Sequence, residues 1–235
     1  MVKLRILLAM TWLSTVALVI IGAPSAHISA DKAKLVDPLA AIARLKEGNR
    51  RFASGQSLHP NQSIARAKEI SAGQNPFAVI VGCSDSRVPN EIVFDQGLGD
   101  LFIVRTAGQV STYASWGSIE FGVESLGARL VVVLGHTQCG AVGAACRLPE
   151  VPGHVVTLVN AIRPASVRAA RIPGDLVMNA GRVNVAMQVM QLRNLEPVLA
   201  RKVKRGEIQI VGAIYDLATG KVEFLDEAFI REWGV

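Results

Sequence analysis

The sequence has few cysteines and few aromatic residues. Three cysteines among 235 residues form an odd set, too small for a disulfide framework. Aromatic residues make up 5% of the chain, and the densest basic stretch, residues 201–205, has none between its cations. The formal net charge of +6 is mild. Neither a disulfide-rich scaffold nor a nucleic-acid-binding surface is therefore expected.

The first 30 residues resemble a secretory signal peptide. Lys3 and Arg5 precede an uncharged, apolar run over residues 6–21, and small residues follow near positions 23–30. This order of segments predicts a signal peptide that is cleaved near residues 25–30. The run is also near the lower length limit for spanning a bilayer, so an uncleaved anchor is the alternative.

Cleavage would leave residues 31–235 as a single exported domain, located in a bacterial periplasm or outside the cell. Loss of Lys3 and Arg5 lowers the formal charge from +6 to 6 − 2 = +4. The segment contains no cysteine, which excludes a lipoprotein anchor. The mature chain is expected to have no stable membrane anchor.

The rest of the chain alternates between strand-like and helix-like segments, which predicts an α/β fold with a central parallel sheet flanked by helices. A turn at residues 218–220 predicts an antiparallel C-terminal edge strand. The first helix is expected to begin with Asp37 as its N-cap and to end near Gly55. Its apolar face is predicted to carry Leu39, Ile42 and Leu45. The other predicted strands cover residues 77–82, 101–105, 130–136, 208–216 and 222–225, and two further helices cover 116–126 and 175–195.

Potential metal ligands follow two of the buried strands. Cys83 comes directly after residues 77–82, and His136 and Cys139 come at and after the end of residues 130–136. The carboxyl ends of parallel strands lie at one edge of a sheet, so these side chains are expected to meet. Two thiolates and one imidazole predict a zinc site whose fourth position is open to water. Cys146 could instead close a structural site, although a helical turn or two separates it from Cys139.

A carboxylate and a guanidinium lie beside the first of these cysteines. Asp85 and Arg87 would be costly to bury near a metal without a purpose. A forked hydrogen bond from Arg87 would hold Asp85 off the metal and leave it able to accept a hydrogen bond from water. The alternative is a loop ion pair that only fixes the turn.

Residues 37–224 resemble the β-class carbonic anhydrases. The most specific motif is Cys83-Ser-Asp-Ser-Arg-Val-Pro89, and the others are Gly99-Asp-Leu-Phe102, Arg105, Ser118-Ile-Glu-Phe121 and Gly135-His-Thr-Gln-Cys-Gly140. The resemblance implies one zinc ion per subunit held by Cys83, His136 and Cys139, with Asp85 and Arg87 as a catalytic pair beside it.

The resemblance also implies the substrate site and the assembly. Gln74 matches a glutamine that donates a hydrogen bond to substrate, and Phe102 and Phe121 match aromatic walls of a carbon dioxide pocket. In the family these pocket residues come partly from a second subunit. A homodimer or a dimer of dimers is therefore implied, with N-terminal helices that pack on the partner.

Two positions depart from the family pattern. Ile80 stands where some members have a tryptophan that contributes to a regulatory bicarbonate site, so the chain resembles the non-allosteric branch with an open zinc site. Residues 105–109 read Arg-Thr-Ala-Gly-Gln where Arg-Asn-x-Ala/Gly-Asn is more usual. This replacement predicts different local hydrogen bonding near the site.

The expected activity is zinc-dependent, reversible hydration of carbon dioxide to bicarbonate and a proton. One alternative is hydrolysis of carbonyl sulfide or carbon disulfide at the same zinc site, which relatives with this motif perform. The other is a structural or metal-sensing zinc protein, which would need Cys146 as a fourth ligand.

Overall fold

A computed structural model describes residues 35–235, which form a five-stranded sheet flanked by helices. The strands are β1 (Ala78–Cys83), β2 (Leu101–Thr106), β3 (Leu130–His136), β4 (Gln209–Tyr215) and β5 (Val222–Phe224). Their order in the sheet is β2-β1-β3-β4-β5. The first four strands are parallel and β5 is antiparallel to β4. The predicted fold class is confirmed, whereas the predicted signal peptide lies outside the described residues.

Helices connect the strands and cover both faces of the sheet. They are α1 (Pro38–Ala53), α2 (Ile64–Glu69), α3 (Asn90–Val93), α4 (Tyr113–Glu124), α5 (Gly140–Arg147), α6 (Val155–Ala169), α7 (Leu176–Arg193), α8 (Leu199–Lys204) and α9 (Glu227–Trp233). Within residues 35–235, no helix is both long enough and apolar enough to cross a membrane.

The two central strands are buried along their whole length. Every residue of β1 and of β3 is buried, because helices cover both faces of a parallel sheet. Successive side chains of a strand point to opposite faces. Val79 and Val81 accordingly pack in a cluster with α4 and α7, whereas Ala78 and Ile80 pack in a cluster with α1 and α3.

Helix α1 begins as predicted, and Ile42 and Leu45 of its predicted apolar face pack in the core, but Leu39 does not. The Asp37 carboxylate accepts the N–H of Leu39 at 2.9 Å, and the helix ends two residues before Gly55. Leu45 is fully buried, whereas Leu39 is 67% exposed. The stripe of α1 that meets the sheet includes Gly48, where a Cβ atom would lie 1.9 Å from the carbonyl oxygen of Phe94. Glycine is therefore needed at position 48, because α1 approaches the end of α3 too closely there for a side chain.

Helix α4 begins at Tyr113, three residues before the predicted start at Trp116. The backbone N–H of Thr112 donates to the Ser115 hydroxyl at 3.0 Å, which fixes the first turn. This pairing of Thr112 with the third helical residue is one half of a capping box. The predicted hairpin is confirmed: Gly220 has φ 72° in the turn that joins β4 to β5.

Candidate metal centre

Three potential ligands meet where β1 and β3 end. Cys83 is the last residue of β1, His136 is the last residue of β3, and Cys139 immediately precedes α5. Their ligand atoms all lie within 4.8 Å of one another, and each residue is at most 4% exposed. No other group of three such side chains within residues 35–235 has this geometry. The structure thus brings together the three residues that the sequence analysis selected.

A tight turn returns the chain from His136 to Cys139. Gln138 lies in this turn with φ 54°, a backbone conformation that is uncommon for residues other than glycine. Arg87 donates from Nη2 to the carbonyl oxygen of Gln138 at 3.4 Å. The strained turn is therefore linked to the loop that follows Cys83.

The His136 ring is oriented by its own turn. Nδ1 lies 2.9 Å from the carbonyl oxygen of Thr137, so Nδ1 carries the hydrogen and donates it. Nε2 is buried and has no hydrogen-bond partner among residues 35–235. Because an unpaired buried nitrogen is unfavourable, this lone pair suits a metal ion between the two cysteines.

The two thiols have opposite acidities. Hydrogen bonds from the Cys139 thiol and from the N–H groups of Gly108 and Asp85 lower the pKa of Cys83, although burial opposes this shift. The pKa of Cys139 is raised, because its thiol donates to the Cys83 sulfur and because it is buried. Two neighbouring thiolates need a cation to offset their charge, so this donor set fits zinc.

Cys146 does not join the cluster. It lies in α5, which leads away from Cys139, and it packs half-buried against an apolar cluster. Among the described residues, the metal-binding geometry includes Cys83, His136 and Cys139 alone. The arrangement therefore differs from a closed site of three cysteines and one histidine.

Asp85 and Arg87 form a forked pair beside the cluster. Arg87 Nε donates to Asp85 Oδ1 at 2.9 Å, and Nη2 donates to Oδ2 at 2.7 Å. The guanidinium hydrogen bond from Arg87 holds the pKa of Asp85 well below its usual range. Asp85 Oδ2 also lies 3.8 Å from His136 Nε2. One oxygen of the carboxylate thus faces the ligands while the fork fixes its orientation.

Arg105 holds this loop from the neighbouring strand. Its Nε donates to the carbonyl oxygen of Cys83 at 2.8 Å, and its Nη2 donates to the carbonyl oxygen of Asp85 at 2.7 Å. Arg105 belongs to one of the sequence motifs, but the motif alone assigned it no role. Its position at the end of β2, which pairs with β1 in register Gly82↔Arg105, was the available signal.

The other predicted site residues are Gln74, Phe102 and Phe121. Phe102 on β2 and Phe121 on α4 contact each other, with ring centroids 6.2 Å apart, and Phe121 is 43% exposed. Gln74 is exposed in the loop before β1. No hydrogen bond within residues 35–235 links it to Cys83, His136 or Cys139. The roles of Gln74, Phe102 and Phe121 in a substrate pocket stay a prediction.

Comparison with known proteins gives a consistent result. Residues 78–222 match the family model described as carbonic anhydrase. The chain is 45% identical to a carbonic anhydrase of Mycolicibacterium smegmatis over 193 residues, which cover 80% of this chain and 93% of that protein. It is 42% identical to carbonic anhydrase 2 of Mycobacterium tuberculosis over 196 residues, which cover 81% and 94%.

The fold is also similar to that of a solved structure. One of two tetrameric β-carbonic anhydrases of the filamentous ascomycete Sordaria macrospora superposes with a TM-score of 0.63 at 21% identity. The match covers 76% of this chain and 93% of that chain.

Proposed function

The chain belongs to the β-class carbonic anhydrases, and from that premise we propose that it catalyses the zinc-dependent, reversible hydration of carbon dioxide to bicarbonate and a proton. The observation that carries this proposal is the buried cluster of Cys83, His136 and Cys139, whose ligand atoms lie within 4.8 Å of one another. These three side chains would hold one zinc ion per subunit. When bound, zinc would act as a Lewis acid that lowers the pKa of water and so would provide a nucleophile.

Asp85 would orient the attacking water. Its Oδ1 accepts two hydrogen bonds from Arg87, whereas Oδ2 accepts one and lies toward His136. A carboxylate oxygen has room for a further hydrogen bond, so Oδ2 can accept a hydrogen from water at the cluster. Because its pKa is lowered by Arg87, Asp85 stays ionised and keeps this acceptor at any working pH.

The charge of the ligand set affects the pH dependence. Two thiolates offset the double charge of zinc, whereas three neutral imidazoles leave it intact. Water at this site should therefore ionise less readily than at a three-histidine site, for which carbonic anhydrase itself gives a pKa of about 7. The hydration rate is expected to rise toward alkaline pH.

We further propose that the substrate pocket is completed by a second subunit, in a homodimer or a dimer of dimers. By family resemblance Gln74, Phe102 and Phe121 line the pocket of carbon dioxide and bicarbonate. The exposure of Gln74 and Phe121 suits residues that a partner covers. The Sordaria macrospora relative is tetrameric. Light scattering coupled to gel filtration of the wild type and of Phe121→Arg tests this assembly, and a monomeric, fully active wild type would contradict it.

We also propose that residues 1–30 are a signal peptide that directs export. This proposal depends on Lys3, Arg5 and the apolar run that follows them. The mature chain would then begin after Ser25, Ala26 or Ala30 and would lie in the periplasm or outside the cell. Mass spectrometry of the native protein would identify its first residue. An intact residue 1–25 segment would count against cleavage.

Substitution of the ligands tests the proposed activity. Cys83→Ser, His136→Ala and Cys139→Ser are each expected to lose stoichiometric zinc and hydration activity, because three protein ligands are the minimum of a catalytic zinc site. Cys146→Ser is the matched control and is expected to keep both. Loss of zinc in Cys146→Ser would contradict the open site.

A further inference from the structure

A short turn after β2 contacts the first ligand. Residues Ala107–Gln109 form a 3-10 turn in which Gly108 has φ 69° and Gln109 has φ 47°. Glycine adopts the left-handed region readily, whereas this conformation is unfavourable for Gln109 unless its surroundings hold it. A Cβ atom at position 108 would lie 2.6 Å from Ile162 Cδ1. The positive φ therefore favours glycine at position 108, and a larger residue would also have to displace the end of the Ile162 side chain.

This turn donates a hydrogen bond to the Cys83 sulfur. The N–H of Gly108 lies 3.2 Å from Sγ in a buried position, and the N–H of Asp85 lies 3.4 Å from the same atom. A hydrogen bond to a thiolate withdraws electron density from sulfur and weakens its donation to a metal. The two N–H groups thus oppose the neutralising effect of the thiolates on zinc.

A side chain from another element fixes the turn. Asn184 lies in α7, is 1% exposed, and donates from Nδ2 to the carbonyl oxygen of Gly108 at 3.0 Å. Gly108 is thus held from both sides, with its carbonyl group on Asn184 and its N–H on Cys83. Helix α7 is firmly placed, because Val185 and Val189 pack in the main core cluster.

We propose that Asn184 is a positioning residue for the metal centre: by holding the Gly108 carbonyl group, it keeps the Gly108 N–H on the Cys83 sulfur and limits electron donation from that thiolate to zinc. The inference rests on the proposed zinc-dependent function. Asn184 itself makes no hydrogen bond to the three ligands among residues 35–235, so its effect on the bound metal would pass through Gly108.

Gln188 provides a matched control, one helical turn further along α7. It is 6% exposed, and its Oε1 accepts the Ser111 hydroxyl at 2.7 Å and the Ser111 N–H at 3.2 Å. Its hydrogen bonds reach Ser111 and not the 107–109 turn. If any lost hydrogen bond from α7 disturbed the metal centre, the Asn184 and Gln188 variants would show the same effect. If the effect passes through Gly108 to Cys83, only the Asn184 variants would show it.

The test uses the full protein loaded with Co²⁺ in place of zinc, since cobalt has a thiolate-to-metal charge-transfer absorption. The variants are Asn184→Ala, Asn184→Val and Gln188→Ala. Loss of the Gly108 hydrogen bond raises the energy of the sulfur lone pairs, so the absorption should move to longer wavelength in both Asn184 variants. Because Val refills most of the space that Ala leaves empty, a purely steric effect would be reversed in Asn184→Val. The Gln188→Ala spectrum should equal that of the wild type.

Activity provides the second measurement. With zinc at full occupancy, both Asn184 variants are expected to lose about 10- to 100-fold in hydration rate, the usual effect of removing an outer hydrogen bond at a metal site. Gln188→Ala is expected to remain near wild type.

Three results would overturn the inference: an unshifted spectrum in the Asn184 variants, an equal shift in Gln188→Ala, or failure of both Asn184 variants to fold. A wild type that binds neither cobalt nor zinc would instead refute the proposed function.

Discussion

Two aspartate–arginine pairs in this chain have the same chemistry and different surroundings. Asp85 and Arg87 lie two residues apart in the loop after β1, and the Arg87 side chain is 52% exposed. Asp95 pairs with Arg51, which lies 44 residues away in α1, at 2.6 Å. The Asp95 side chain is fully buried.

The remaining hydrogen bonds separate a structural pair from a functional one. Asp95 also accepts the N–H groups of Leu58 and His59, each at 3.0 Å, so its carboxylate joins α1, the loop after α1 and the end of α3. Asp85 makes its close hydrogen bonds with Arg87, and its Oδ2 faces the ligand cluster. The first carboxylate connects distant segments, whereas the second is presented to a site. The surroundings of the carboxylate oxygens, and not the ion pair itself, therefore indicate whether such an aspartate has a structural or a functional role.

The largest effect is expected at Asp85. Asp85→Asn should keep zinc and lose about 10²- to 10⁴-fold in hydration rate, because the amide cannot serve as the same ionised acceptor for the attacking water. Its free energy of unfolding should stay within about 0.5 kcal/mol of wild type, since the pair is local. Stopped-flow hydration, metal analysis and urea unfolding measure the three quantities. Full activity would refute the role given to Asp85.

Removal of Arg87 should also abolish most activity, for a different reason. In Arg87→Ala the carboxylate of Asp85 loses the fork that fixes it and can itself ligate the metal where water must bind. Arg87→Lys keeps the charge but not the fork, so an intermediate rate is expected. A rate in Arg87→Ala equal to that of wild type would show that the fork is dispensable.

Substitution of Asp95 is expected to lower the stability of the protein and not its activity. Asp95→Asn removes the close carboxylate partner of Arg51, leaves only the longer 3.6 Å pair of Arg51 with the exposed Glu47, and weakens the bonds to Leu58 and His59. This change is expected to lower the free energy of unfolding by about 3 kcal/mol. The hydration rate per folded, zinc-loaded subunit should be unchanged. Urea unfolding and zinc-normalised kinetics test this, and an activity loss without a stability loss would reverse the comparison between the two pairs.

The smallest expected effect is on the stability of the protein at low pH. Burial raises the pKa of Asp95, but hydrogen bonds from Leu58, Arg51 and His59 outweigh it, and the net pKa is lowered. A lowered pKa stabilises the fold fully above the unfolded value of about 3.9, and the contribution is lost as pH falls through the folded value. The stability difference between wild type and Asp95→Asn should therefore shrink below about pH 4. Urea midpoints that stay equally far apart at low pH would contradict this.

The metal cluster could be predicted from the sequence because its ligands lie at the ends of strands, and the ends of adjacent parallel strands meet. Cys83 and His136 end adjacent parallel strands, and apolar runs identify such strands reliably. The contacts that tune the cluster could not be predicted in the same way. Asn184 meets Gly108 across 76 residues, and such a contact depends on how α7 packs on the sheet.

Local patterns also failed where tertiary packing prevailed. The leucine spacing of α1 favoured Leu39 as a core residue. The structure buries Leu45 but leaves Leu39 exposed, and the helix packs closely at Gly48. The pairing of Asp95 with Arg51 left no local signal, because its partners come from separate segments. Asp85 and Arg87 were predictable as a pair because they lie two residues apart.

The pH dependence of the hydration rate per bound zinc tests the central claim most directly. Stopped-flow measurement on the wild type from about pH 6 to about pH 9 should show a rate that requires zinc and rises with loss of one proton, with an apparent pKa above about 7. That result follows from two thiolate ligands and an Asp85–Arg87 pair that is already formed. A zinc-independent rate, or a steep rise over several protons with a bicarbonate-stabilised inactive form, would contradict the account.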